Sequence, residues 1–337
     1  MNTRHALTFP EAIVFTLHYA DCFDSSLTLD EIWGHLPLKI SKETLNQYLD
    51  ELIKSGEVEF QNEHYFLSGR GGLLELKSQF GDFSDSKLAR AKSLSSLISK
   101  LPWVHEIGVS GSVANKTAKE NDDIDLVIVT SSKRLWFTRL IIVIYLKLTR
   151  QYRGKVVKDK FCPNVWLSLE NLEFENRSYY LAREIASVKV LYPQGGSSVI
   201  EKANPWISLY LPQIPHIGRR GSDGEDLPPP HSGQRPSGSW TSSGGAGRPF
   251  PPPSPFTATH GWVRLGFQNF NLIFNYFDQL SFSFQKMLIK RHLTRELVTV
   301  NRALFHPVNY EDVLKDKIDK KMHPKYREIL VDSKFWS

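Results

Sequence analysis

Two short apolar segments with a polar stretch between them constrain this chain more than any other feature. Val104 to Ser110 reads as a strand that runs into Gly111-Ser112, and ten residues after Ser112 comes Asp122-Asp123, opening a second strand, Ile124-Asp125-Leu126-Val127-Ile128-Val129. Side chains alternate across a strand, so Asp123 and Asp125 share one face. Carboxylates placed so repel one another, and the arrangement is sensible chiefly where a cation sits between them. Hard oxygen ligands of this kind suit Mg²⁺ (or Mn²⁺), which completes its shell with phosphate and water. Gly111 lets the backbone approach a phosphate without a side chain, and Ser112 offers it a hydroxyl donor. Alone, an Asp-x-Asp is usually a solvated strand end and a Gly-Ser is usually a turn. Joined at this spacing between apolar strands, they point to phosphoryl-type transfer.

The segment VSGSVANKTAKENDDIDLVIV resembles the Gly-Ser, spacer, Asp-hydrophobic-Asp signature of the polymerase-beta-like nucleotidyltransferases. The resemblance extends through a helix over 133–150, a strand from Phe161 to Ser168 and a helix over 178–190 ending Val190-Leu191-Tyr192. It implies an α/β (α+β) fold in which a small mixed sheet is flanked by helices. It also implies an enzyme that binds a nucleoside triphosphate such as ATP with Mg²⁺ or Mn²⁺ and moves a nucleotidyl group to an acceptor hydroxyl. By position, Asp123 and Asp125 take the places of the metal-binding pair, and Gly111 and Ser112 that of the phosphate-binding turn. Arg134, Arg139 and Lys189 are candidate triphosphate contacts.

The family's third carboxylate is where the sequence departs. Asn164 stands at the head of the third strand, and an amide can ligate but cannot act as a base. Glu170 and Glu173 downstream and Asp159 upstream are the acids nearby. A catalytically reduced, nucleotide-binding or regulatory protein on the same fold is therefore the alternative. The acceptor, whether protein, RNA or small molecule, is not given by the sequence.

The first ninety residues predict helices over Pro10–Phe23, Thr28–Leu36 and Ser41–Ser55, then strands at 57–60 and 64–67. Thr28 with Glu31 forms a capping-box pattern, and Gly56 stops the third helix. Three helices and a hairpin are similar to a winged helix. A helix that enters a DNA groove needs cations, yet the third one offers Lys42 and Lys54 against Glu43, Asp50 and Glu51. Residues 1–90 carry 8 Lys and Arg against 14 Asp and Glu, whereas the whole chain is +6. DNA is thus an improbable partner, and a winged-helix DNA-binding regulator ranks below the other two readings. The stretch 131–160 is the opposite, with 9 Lys and Arg against Asp159 alone.

Ser84 to Lys100 shows helical apolar spacing and leads into the Gly-Ser segment. Gly218 to Pro255 holds 8 Gly, 9 Pro and 7 Ser in 38 residues and cannot bury enough surface to fold. Val263 to Val300 reads as one or two helices, and Tyr310 to Lys321 as a polar helix. The expected division is a winged-helix-like module (1–83), a nucleotidyltransferase domain (84–212), a disordered Pro/Gly/Ser-rich linker (213–260) and a helical C-terminal region (261–337). Cys22 and Cys162, the two cysteines, have no metal-ligand or disulfide spacing. The longest apolar run, Leu140 to Leu146, falls far short of the ~20 residues that span a bilayer, so no membrane is expected and a cytoplasmic setting fits. From the charge argument, residues 1–90 should bind DNA weakly or not at all at physiological salt. A sub-micromolar, sequence-specific complex in a gel-shift titration would refute this.

Overall fold

The computed structural model describes residues 7–195, 198–213, 261–289 and 297–305, together with Asp316 and Lys320. Helix α1 (Phe9–Asp21) starts with a proline in its first turn and a capping box between Thr8 and Glu11. Helix α2 (Leu29–His35) is capped by Thr28 with Glu31, and α3 (Lys42–Lys54) by Ser41, whose hydroxyl accepts from the Thr44 N–H. Strands β1 (Val58–Gln61) and β2 (His64–Leu67) form a hairpin, with Asn62 and Glu63 both at positive φ as a two-residue turn demands. Leu27 bridges to Tyr65 beside it. These elements fall within one or two residues of the sequence expectation.

Helix α4 (Leu73–Ile98) is longer than the expected Ser84–Lys100. Its early part holds Gly81 among Ser and Asp residues, a composition that disfavours a helix. Burial of Leu73 and Phe80 overrides that preference, and the helix runs unbroken across position 83/84.

The six-stranded mixed sheet is built from β3 (Val104–Val109), β4 (Ile124–Thr130), β5 (Phe161–Ser168), β6 (Lys189–Tyr192), β7 (Leu297–Val298) and β8 (Arg302–Leu304), in the order β6-β3-β4-β5-β8-β7. Only β4 and β5 run parallel among these pairings. Residues 189–192, expected as the end of a helix, are an edge strand beside β3 instead, and the preceding helix, α7, spans Tyr179–Ser187. Val190 and the β-branched Val188 before it suit a strand better than a helix. Strand β7 lies at the end of Val263–Val300, expected as helix, and β8 just beyond it in the region expected to be helical; the pairing of β8 with β5 is a long-range contact that local spacing does not encode.

Alternation along β4 sorts the two cores. Leu126 and Ile128 face one side, packed with α4, Trp166 and α6 (Leu135–Leu148). Val127 and Val129 face the other, in a core that also takes in apolar residues of α1, α2, α3 and α7. The N-terminal elements therefore share a core with the sheet. Tyr179 sits at that seam: its ring centroid lies 5.1 Å from Phe15 and 5.5 Å from Tyr19, and its hydroxyl donates to His35 O at 2.7 Å. Short helices α8 (Val199–Ala203) and α9 (Ile207–Tyr210) follow β6. Gln213, placed at the start of the expected linker, is instead buried, its Nε2 donating to Leu38 O at 2.6 Å. Residues 214–260 and most of 310–321 lie outside the described residues.

Helix α10 (Gly261–Ile289) packs on α6 through a partly polar stripe. Asp278 accepts from the Phe137 N–H at 2.8 Å, and Gln285 donates to Trp136 O at 2.8 Å. No described helix is long and apolar enough to cross a membrane. Because one core joins the N-terminal helices to the sheet, Tyr179→Ala should destabilise both together by about 3–5 kcal/mol. Denaturant unfolding followed by far-UV circular dichroism and tryptophan fluorescence should give one coincident, shifted transition; two separate transitions would contradict the shared core.

Candidate active site

The two-residue period of β4 puts Asp123 and Asp125 on the same side as Val127 and Val129, the side whose covering core continues into the N-terminal helices. At this end of the strand the cover gives way to a cleft of about 710 Å³. Ser110, Gly111 and Ser112 line it with the two carboxylates, α1, the turn after it and α2 contribute Tyr19, Phe23 and Glu31, and α7 contributes Tyr180, Arg183 and Glu184. Gly111, Ser112, Asp123 and Asp125, the four residues expected to share a site, thus line one cavity.

Gly111 opens the one-turn helix α5 (Gly111–Ala114) and has φ +63°, and a Cβ there would lie 2.9 Å from Asp125 Oδ2. Both the backbone conformation and the close approach demand glycine. The Ser110 N–H donates to Asp125 O at 3.2 Å, tying the turn to the strand. The loop before β4 is fixed from behind by Lys87 of α4, which is buried and gives its ammonium to Glu120 O at 3.0 Å, Asp122 O at 2.9 Å and the Asp159 carboxylate at 2.5 Å. Asp159 is thereby committed to an ion pair outside the cleft. Glu170 and Glu173 follow the far end of β5, beyond Ser168, so these three acids are not brought to Asp123 and Asp125.

Asn164 does reach the site. Between Leu126 and Val127 the β4–β5 register shifts, with Leu126 opposite Pro163 and Val127 opposite Val165, so Asn164 is the extra residue of a bulge. Its Nδ2 donates to Asp125 Oδ1 at 2.8 Å, while its Oδ1 has no hydrogen-bond partner among the described residues. Two residues that sequence reasoning passed over stand beside it. Cys162 is in register with Asp125 on the parallel strand, and a ligand atom from each of Asp123, Asp125 and Cys162 lies within 4.8 Å of the others. The Arg153 Nε is 2.9 Å from Asp123 Oδ2. That nitrogen's N–H points off the line of contact, so the pair is ionic and the buried oxygen has no hydrogen-bond donor. The strand register was the signal that identifies Cys162, and it is invisible without the sheet.

Burial, reinforced by the Asp123 charge and partly offset by Arg153, pushes the Asp125 carboxyl up to about 7. Burial, then Asp125 and Asp123, push the Cys162 thiol up to about 12. Glu184, partly open to the cleft, is raised by burial to about 7 against the opposing effect of Arg183. The two carboxylates and the donor-free oxygen of Asp123 fit a divalent cation: negative groups that cost free energy alone become favourable around it.

The expected triphosphate cations lie elsewhere. Arg134 donates to Asn275 Oδ1 at 2.6 Å and lies over Phe274, and buried Arg139 bonds to Gln285 and lies over Phe305. Both serve the contact between α6 and α10, because helix α6 turns them to that side. Lys189, on the edge strand opposite Val109, is not in the cleft wall. The cations that do line it are Lys77, Lys116, Lys119 and Arg183.

A family model described as a nucleotidyltransferase domain matches residues 91–187. The match runs from within α4 to the end of α7 and includes the Gly-Ser turn, both aspartates and β5. This stretch is a nucleotidyltransferase domain, consistent with the polymerase-beta-like superfamily. Searches of curated proteins and of solved structures gave no match.

The Asp125 shift has a definite sign. A carboxyl whose folded pKa is raised keeps its proton in the folded protein while the unfolded chain has released it. Stability is then greatest below the ordinary carboxylate range, about pH 4, and declines as pH rises towards 7. In metal-free buffer, Asp125→Asn should raise the melting temperature at pH 8 and change it little at pH 4. Equal effects at both pH values would show that the carboxyl is not shifted.

Proposed function

We propose that this protein is a divalent-metal-dependent nucleotidyltransferase that takes a nucleoside triphosphate, with Mg²⁺ as the working cation, and moves its nucleotidyl group to an acceptor hydroxyl. The observation that carries this reading is the convergence of Gly111-Ser112 with Asp123 and Asp125 on one cleft within a nucleotidyltransferase domain. A cation held by Asp123 and Asp125 supplies charge neutralisation for the phosphates and the departing pyrophosphate. Gly111 leaves room for a phosphate at the backbone, and the Ser112 hydroxyl donates to one of its oxygens. Lys116 and Lys119, exposed at the cleft, and Arg183 in its wall attract and orient the triphosphate.

Attack by the acceptor oxygen on the α-phosphorus forms one P–O bond and breaks that to pyrophosphate. The acceptor's proton needs a base. Glu184, in the cleft wall with a proton affinity near neutrality, is our candidate in place of the missing third acid. The catalytic residues of this reading are Asp123 and Asp125, with Asn164 orienting Asp125 through its amide. The N-terminal module, winged-helix-like in its order of elements, is assigned the role of cleft wall and not DNA reader. Residues 84–212 form the nucleotide-handling part, and a cytoplasmic setting suits its substrate.

Asn164 and Cys162 in place of a third carboxylate favour a second reading, a nucleotide-binding protein of reduced activity. Labelled ATP, CTP, GTP and UTP offered with Mg²⁺ or Mn²⁺ and cell extract should separate the two through transfer of label. Asp123→Asn and Asp125→Asn should each lower transfer by orders of magnitude without loss of fold. Glu184→Gln should lower kcat and flatten its rise with pH. If neither aspartate substitution affects triphosphate binding or transfer, the nucleotidyltransferase reading fails.

A further inference from the structure

Cys162 is the one group in the cluster that neither the sequence motif nor the transfer chemistry uses. Resting on the metal-site reading above, we propose that Cys162 is the third protein ligand of the cation held by Asp123 and Asp125. The centre would then grip a thiophilic divalent cation of the zinc type more tightly than Mg²⁺.

Three observations support this. Cys162 pairs with Asp125 in the parallel β4–β5 register, which sets both side chains on the same face of adjacent strands. One ligand atom from each of Asp123, Asp125 and Cys162 falls within 4.8 Å of the other two, close enough for small side-chain movements to gather all three round one ion. Asn164 is 3% exposed and turned into the cluster by its bond to Asp125, with its Oδ1 lacking a hydrogen-bond partner among the described residues. Buried polar atoms are seldom left so unless something else satisfies them.

Arg153 shows what the cluster attracts. Its Nε lies 2.9 Å from Asp123 Oδ2, and its Nη1 is 3.6 Å from Cys162 Sγ, so one guanidinium spans an aspartate and the thiol. The side chain is 41% exposed and can swing out to solvent when a more concentrated positive charge arrives. Carboxylates alone favour Mg²⁺, Ca²⁺ and Mn²⁺, whereas a thiolate shifts preference to softer ions. On binding, the thiol proton leaves to solvent and a sulfur–metal bond forms, with no change of oxidation state.

The test uses the full chain stripped with a chelator and titrated with Cd²⁺ and Co²⁺, whose bonds to thiolate give ultraviolet charge-transfer bands, and with Mn²⁺ followed by electron paramagnetic resonance. Wild type should show the thiolate band with Cd²⁺ and Co²⁺. Cys162→Ser should lose it and bind Cd²⁺ on the order of tenfold or more weakly, with Mg²⁺ binding much less affected. A second measurement needs no substitution at Cys162. In a Cys22→Ser background, Cd²⁺ or Mn²⁺ should slow alkylation of Cys162 by N-ethylmaleimide, and Asp125→Asn should remove that protection. If Mn²⁺ binds and Asp123→Asn abolishes it, yet no thiolate band forms and alkylation is not slowed, the cysteine proposal is overturned and the carboxylate site stands. If Mn²⁺ binding is absent, or unchanged by Asp123→Asn, the metal-site reading falls and the cysteine proposal with it.

Discussion

Strand β4 carries core and chemistry on the same side. Val127 and Val129 belong to a core that continues through α7 into α1, α2 and α3. A strand has no freedom to turn its first residues elsewhere, so Asp123 and Asp125 project into the same layer. Where the helices cease to cover the strand, that layer becomes a cleft, walled on one side by Tyr19, Phe23 and Glu31. The N-terminal helices are thus part of the site's construction, because they share that core and supply one wall of the cleft.

Charge along the chain and charge in space diverge. The basic stretch 131–160 looks like one electropositive surface beside the aspartates. In the fold it is dispersed: Arg153 goes to Asp123, Lys158 to Glu120, and Arg134 and Arg139 to the α6–α10 contact. Only Arg153 among these acts on the carboxylate pair. The cations of the cleft come from α4, the loop after the Gly-Ser turn, and α7, separated widely in sequence.

What the sequence made legible was what is encoded locally. The Gly-Ser turn, the paired aspartates, the cap at Thr28, the hairpin turn and β5 follow from spacing, composition and period, and the fold contains each of them. What it hid depends on pairing between distant segments. Cys162 enters the site through parallel register, and Asn164 through a bulge that shifts the register by one residue. Strand β6 and the hairpin β7–β8 are short, and each exists because a neighbouring strand has an edge to fill. Helix α4 extends back to Leu73 because burial of Leu73 and Phe80 outweighs the poor propensity around Gly81.

Helix α10 shows the same limit from another side. Its periodicity says that it has stripes, not which stripe packs. The stripe turned to α6 includes Asn275, Asp278 and Gln285, while Leu272, Tyr276, Leu280 and Phe284 are exposed. The choice follows from what α6 presents. Its first turn leaves the Phe137 N–H without an intrahelical acceptor, and Arg134 and Arg139 bring guanidiniums to the contact. An apolar stripe there would leave a helix end and two cations unpaired, a larger penalty than exposing leucines and aromatics to water. Asp278, Asn275 and Gln285 each supply an acceptor at the needed place. The polarity of one helix end, set by residues 134–139, therefore decides how a helix more than a hundred residues later is rotated.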